Sequence, residues 1–298
     1  MTRNRDIADF NPEFYSGKNL LINGCLSEYQ RGESGTGEYV ADRMRQSGVS
    51  ASSKNMVNTP NGYLQGHYIS RAESGEFFFG QRIEAAISAQ AAGEDVTFSF
   101  ELYDVTGIDS LEVVAYHTSA KDNWSTQSIL FFTKALADLT NGRKAVTIPN
   151  LPEMVKHGLY VGLKATVSSS GSYKTTGLQL ELGDEATRFI PDLPSVNLAK
   201  CQRYYEFIPK SPMRIGQSNS GNGARGAVNY TRKRAIPSFK GHDLGIVNDN
   251  VATVAILAVG ASNVGLVQCR FDATVDSSSL TNNGVCFAQF SCSLDAEL

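Results

Sequence analysis

Between residues 96 and 103 apolar and polar side chains take turns: Val96, Phe98, Phe100 and Leu102 alternate with Thr97, Ser99, Glu101 and Tyr103. A period of two puts the first set on one face of a strand and predicts that this face alone is buried. Leu111, Val113 and Ala115 repeat the pattern, as do Leu159, Val161, Leu163, Ala165 and Val167, and again Leu178, Leu180 and Leu182. Asn23-Gly24, Asn61-Gly62, Thr106-Gly107 and Asn141-Gly142 punctuate these runs as turns. Strands at this spacing, with no long amphipathic helix between them, predict an all-β fold built as a sandwich. Residues 81–92 are ambiguous, because their alanines favour helix and Ile83 and Ile87 lie four apart.

The period changes after Leu182. Pro191 and Pro194 bracket a connector, Ser195 is a fitting N-cap, and Leu198, Cys201, Tyr205 and Ile208 recur at helical spacing until Pro209. The pattern therefore predicts a β domain over 18–194, a linking helix over 195–208, and a smaller β domain over 209–298 with strands at 251–259, 265–275 and 285–293. So small a strand-rich unit would be marginal alone, and edge-to-edge or face-to-face association would remove the liability. Residues 1–17 begin polar and basic (Arg3, Arg5) and then offer Ile7, Phe10, Phe14 and Tyr15. That is too little for a core and more than a solubilising tail needs, so the segment reads as an attachment arm.

Composition narrows the function classes. With 298 residues, a formal charge of -3 and 19% charged residues, the chain has no basic bias, and neither nucleic acid nor an anionic membrane is the default partner. No apolar run approaches the roughly 20 residues of a membrane span, and the N-terminus lacks the apolar stretch of a secretory signal, so a soluble protein made in the cytosol is expected. The five cysteines, Cys25, Cys201, Cys269, Cys286 and Cys292, form no CxxC pair and read as small buried hydrophobes.

Enzyme constellations are not signalled. Sugar cleavage needs two carboxylates at a set separation, whereas Asp104, Asp109, Glu101, Glu112 and Asp122 fall on strand edges and turns where solvated carboxylates are ordinary. His67, His117, His157 and His242 lack the spacing of a zinc site or a triad, no GxSxG occurs, and 221–226 lacks the Lys-Ser/Thr of a phosphate loop. No cofactor and no metal is implied. Trp124 lies in the polar stretch Lys121-Asp122-Asn123-Trp124-Ser125. It is either a packing residue or a platform for a sugar ring, with Asn123, Tyr116 and His117 as companions. Arg232, Lys233 and Arg234 form a basic cluster suited to acidic glycans or a neighbouring subunit, or else one solvated strand face. Asp42-Arg43, at a strand start, reads as a pair fixing the glycine-rich loop by bidentate hydrogen bonds.

Taken in order, several stretches resemble a family of bacteriophage tail fibre and virion proteins. They are Asn19-Leu20-Leu21-Ile22-Asn23-Gly24, Gln30-Arg31-Gly32, Tyr39-Val40-Ala41-Asp42-Arg43, Leu178-Gln179-Leu180-Glu181-Leu182-Gly183 with Ala186-Thr187, Cys201-Gln202-Arg203-Tyr204-Tyr205-Glu206, and Asp295-Ala296-Glu297-Leu298. Met44 stands where that family often carries an aromatic residue. The resemblance implies a jelly-roll domain similar to carbohydrate-binding modules, a compact C-terminal β domain, a homotrimer, and residence on the virion. The expectation is a non-enzymatic tail fibre or similar appendage, attached to other virion proteins through the arm and contacting host-surface polysaccharide. The alternatives are a head-attached fibre or decoration protein with a structural role and, less favoured, a depolymerase.

Overall fold

The computed structural model describes residues 19–59, 62–125, 128–218, 223–242, 246–248, 253–262, 264–275 and 286–298. Ile7, Phe10, Phe14 and Tyr15, expected to form an attachment arm, lie outside them. The chain divides into two compact units, the first ending at Lys200 and joined by Leu298, the second being Cys201–Glu297.

The first unit is a jelly-roll sandwich of two antiparallel sheets. The six-stranded sheet runs in the order β1 (Ser34–Gly35), β3 (Ala51–Thr59), β4 (Gly62–Arg71), β11 (Gly171–Leu182), β6 (Val96–Thr106), β9 (Gly142–Ile148). The five-stranded sheet runs β2 (Met44–Ser47), β5 (Gly75–Ile83), β10 (Leu159–Val167), β7 (Ser110–Thr118), β8 (Ser128–Ala135). Between them lie the alternating residues read from the sequence: Phe98, Phe100, Leu102, Val113, Leu159, Val161, Leu163 and Leu180 are all fully buried. Each such side chain contributes about 1.5–3 kcal/mol by leaving water. The ambiguous stretch resolves as the end of β5 followed by one helical turn, Ala85–Ser88, and a 3-10 turn, Ala89–Ala91.

One expectation fails on the six-stranded sheet. Thr97, Ser99, Gln179 and Glu181 were read as the wet side of their strands, yet they are buried as well. The segment after β11 folds back over them. Thr97 donates to the Gly183 carbonyl at 2.8 Å, and Glu181 accepts from the Thr187 backbone N–H at 2.9 Å and from its hydroxyl at 2.5 Å. A buried carboxylate is tolerable when its oxygens are hydrogen-bonded in this way. The Asn19–Gly24 stretch also lies along β11. Leu20 N donates to Leu180 O at 2.8 Å and Leu178 N to Gly24 O at 2.9 Å. A Cβ at Gly24 would fall 2.1 Å from Leu178 O, so only glycine allows this approach.

The linking helix is shorter than its periodicity predicts. It spans Pro194–Gln202, starting on proline at the first turn, where a missing N–H costs nothing. Asn197 on this helix exchanges hydrogen bonds with Asn23, N to Oδ1 at 3.1 Å and Nδ2 to Oδ1 at 3.0 Å, both residues being buried. Tyr205 and Ile208, expected to extend the helix, instead pair with Asp295 and Cys292 in β12 (Tyr205–Ser218), because aromatic and β-branched residues gain more from a ladder partner than from another helical turn. Pro209, read as a helix stop, falls in the register shift between Ile208 and Ser211, a bulge that needs no N–H from it.

In the second unit β12 pairs with β13 (Gly223–Asn229), then β17 (Gln268–Val275), β16 (Thr253–Ser262), β15 (Ile246–Asn248) and β18 (Cys286–Asp295), and β18 pairs back onto β12. β14 (Ser238–His242) shares the far edge of β18. Among the described residues the ring of strands from β12 to β18 thus closes on itself, with β14 paired on one side only.

Candidate functional site

On the five-stranded sheet the face turned away from the core carries a small recess. Along β5, Phe77, Phe79 and Gln81 are buried inward while Phe78, Gly80 and Arg82 face the other way. On β10 the outward set is Tyr160, Gly162 and Lys164. The antiparallel register sets Gly162 opposite Gly80, Tyr160 opposite Arg82, and Tyr160 opposite Tyr116 on β7. Two facing glycines inside paired strands leave a bare patch of backbone. Tyr160 lies over it: a Cβ on either glycine would fall 2.7 Å from its hydroxyl oxygen. Tyr116 meets the Tyr160 ring edge-on at 5.8 Å between centroids. Trp124, from the loop between β7 and β8, packs beside Gly158, and the Arg82 guanidinium lies 5.1 Å above its ring.

The recess is open on one side and offers about 180 Å³, which suits a single sugar ring better than an oligomer. Its walls are aromatic (Phe78, Tyr116, Trp124, Tyr160), with Arg45, Ser47, Arg82 and Ser128 as polar groups. Two buried polar atoms here lack a partner among the described residues, the Tyr160 hydroxyl and Trp124 Nε1. Burial pushes the Tyr160 phenol well above its usual pKa against the opposing pull of Arg45, and burial likewise lowers Arg82. Arg45 is ion-paired with Glu38. A larger hollow, about 770 Å³, lies between the outer face of the six-stranded sheet and residues 186–194. There Arg143 donates to Gly177 O, Ser99 Oγ and Gln179 Oε1 at 2.9, 2.6 and 3.2 Å.

No family model and no curated protein matches this sequence. Solved structures with similar folds include the enzymatically active domain of tailspike protein 4 of bacteriophage CBA120, at TM-score 0.38 and 14% identity, with 58% of this chain covered. This chain spans 22% of that tailspike's length. TmCBM61 in complex with β-1,4-galactotriose matches at TM-score 0.32 and 14% identity, over 57% of this chain and all (100%) of that one. The family 22 carbohydrate-binding module of Clostridium thermocellum Xyn10B matches at TM-score 0.34 and 9% identity, over 49% and 89%.

Of the residues singled out from sequence, Trp124 and Tyr116 meet in the recess. The other two companions do not join them. His117, the neighbour of Tyr116 on the strand, turns inward, stacks on Phe131 at 5.7 Å and lies 3.1 Å from Thr118 O through Nδ1. Asn123 spends its side-chain oxygen on the Ser125 N–H and hydroxyl, holding the turn that presents Trp124. The basic cluster splits. Arg232 is exposed, Arg234 donates to Ala296 O at 3.2 Å, and Lys233 is buried against Glu206 at 2.6 Å, where no outside partner reaches it. Asp42 does fix the glycine-rich loop, accepting from Gln30 N at 3.2 Å and Gln30 Nε2 at 2.7 Å and facing Arg31 at 3.6 Å. Arg43 donates to the Arg82 carbonyl at 2.6 Å. Phe78, Tyr160, Arg45 and Arg82 were missed. The available signal was Gly80 and Gly162, glycines within otherwise strand-like runs, which mark close approach to a strand surface.

Proposed function

We propose that the chain is a glycan-recognising component of a bacteriophage virion, a tail fibre or similar appendage, and that the recess on the five-stranded sheet is where it grips a sugar. The observation that carries the sugar reading is the recess itself, aromatic walls around two buried polar atoms that no group among the described residues satisfies. A sugar ring has apolar C–H faces that stack on aromatic rings and hydroxyls that fill such vacancies. The proposal is for binding without cleavage.

The virion placement rests on the ordered motifs in the sequence, and a homotrimer attached through the N-terminal arm is part of the same reading. Purified protein on a glycan array, followed by an adsorption-blocking assay on host cells, tests the binding half. Saturable glycan binding that is lost in Trp124→Ala, with blocking by the wild-type protein, supports it. Immunogold labelling of particles and sedimentation velocity test the other half, and unlabelled particles with a monomeric protein at micromolar concentration would overturn it. Reducing ends released from host polysaccharide would replace binding by depolymerisation.

A further inference from the structure

We infer that the chain has a second glycan site, the hollow on the outer face of the six-stranded sheet, and that its ligand is a neutral oligosaccharide. The recess lies on the other sheet and shares no residue with it. The floor of the hollow is a row of side chains across four neighbouring strands. The Thr176 hydroxyl on β11 donates to the Gln65 carbonyl on β4, Thr176 pairs with Glu101 on β6, and Glu101 pairs with Arg143 on β9. At about 4.8 Å between strands the row is about 14 Å long. The hollow above it offers about 770 Å³ against about 180 Å³ in the recess. It is therefore long enough for more than one ring.

What the lining offers decides the class of ligand. Phe189, from the segment after β11, stands over the row with its ring centre 6.0 Å from the Arg143 guanidinium carbon, and gives an apolar face. Glu101 accepts from the Tyr103 hydroxyl at 3.1 Å and lies 4.0 Å from Arg143. A carboxylate has about four lone-pair positions, so acceptors remain for hydroxyl groups, and the Gln65 amide both gives and takes. Two acids, Glu101 and Asp192, stand against two bases, Arg143 and Arg188, so the described lining favours neither an anion nor a cation. A wholly apolar ligand would strip water from Glu101 and Gln65 without replacing it. An extended peptide takes its main-chain bonds from a strand edge, and this floor is a sheet face. Linked sugar rings meet every demand: they are neutral, their C–H faces stack on an aromatic ring, and their hydroxyls reach donors and acceptors along the row.

The experiment uses the full chain on an array of neutral glucans, galactans, mannans and xylans, from single sugars to hexasaccharides, with calorimetry on each hit. Trp124→Ala disables the recess and isolates the hollow. In that background single sugars should no longer bind, oligosaccharides should still bind, and adding Phe189→Ala or Glu101→Gln should weaken them about 10-fold. Raising salt from 0.15 to 1 M should change the affinity less than about 2-fold, because the ligand carries no charge. Phe189 is half-buried and Glu101→Gln keeps the side chain's shape, so either variant reports if the other fails to fold. Oligosaccharide binding that vanishes in Trp124→Ala would overturn this inference and leave the recess reading standing. Binding indifferent to both Phe189→Ala and Glu101→Gln would overturn it too, as would an array on which no neutral oligosaccharide binds. Oligosaccharides held through Phe189 with no single sugar bound would support the hollow and count against the recess.

Discussion

Acid should unfold this protein through one histidine. His67 on β4 is fully buried, stacked 5.0 Å from Phe79, with Nδ1 3.1 Å from the Tyr29 hydroxyl and Nε2 3.2 Å from Gln46 Oε1. The neutral ring fits these partners, with one nitrogen donating and the other accepting, and burial pulls its pKa from 6.5 down to about 3. The unfolded chain therefore takes up a proton as pH falls through about 6.5, while the folded chain resists until about 3. Stability contributed by the neutral ring is present above 6.5 and declines between 6.5 and 3. At about 1.36 kcal/mol per pH unit, pH 5 costs about 2 kcal/mol relative to pH 7.5. That figure hardly depends on the folded value so long as it lies well below 5. The assay is urea unfolding of wild type and His67→Gln at both pH values. Subtracting the variant removes His117, His157, His242 and the carboxylates from the comparison. Wild type should lose about 2 kcal/mol more than the variant. A difference under about 0.5 kcal/mol, or an imidazole of His67 titrating near the ordinary value by NMR, would refute the reasoning. Gln46 belongs to β2, whose opposite face supplies Arg45 and Ser47 to the recess, so glycan affinity should weaken over the same range.

Three further outcomes follow from side chains already placed. Tyr160→Phe removes a buried hydroxyl that has no partner among the described residues, so stability should hold or rise by about 1 kcal/mol while glycan affinity falls. Thermal unfolding and calorimetry on one sample read both signs, and a stability loss above about 1 kcal/mol would show that the hydroxyl is satisfied after all. Gly162→Ala forces a Cβ within 2.6 Å of Phe79 O and 2.7 Å of the Tyr160 hydroxyl. A cost of about 1–3 kcal/mol and a raised sugar Kd are expected, measured by denaturant titration and calorimetry. Lys233→Ala strands Glu206 beside a buried gap, since the two pair at 2.6 Å with the lysine side chain 0% exposed. The second unit should lose about 3–5 kcal/mol by chemical denaturation, and a loss under 1 would mean that water replaces the ammonium.

By itself the sequence determined the fold class and most of the strands, because alternation is a local signal and each strand's core face is written in its own residues. Val96 to Leu102 and Leu159 to Val167 needed no knowledge of their partners. Through Trp124 and Tyr116 it also reached one wall of the recess. What only the tertiary structure decided depends on residues far apart in the chain. Whether Tyr205 and Ile208 continue a helix or join a ladder turns on Cys292 and Asp295, and whether Thr97 and Gln179 are wet turns on the segment after Gly183. Tyr160, Arg82, Gly80 and Gly162 form a site because the register of β5 against β10 sets them side by side. A one-residue slip would have turned them all to the core. The sequence pattern fixes which face a residue takes within its strand, and long-range pairing fixes which neighbours share that face.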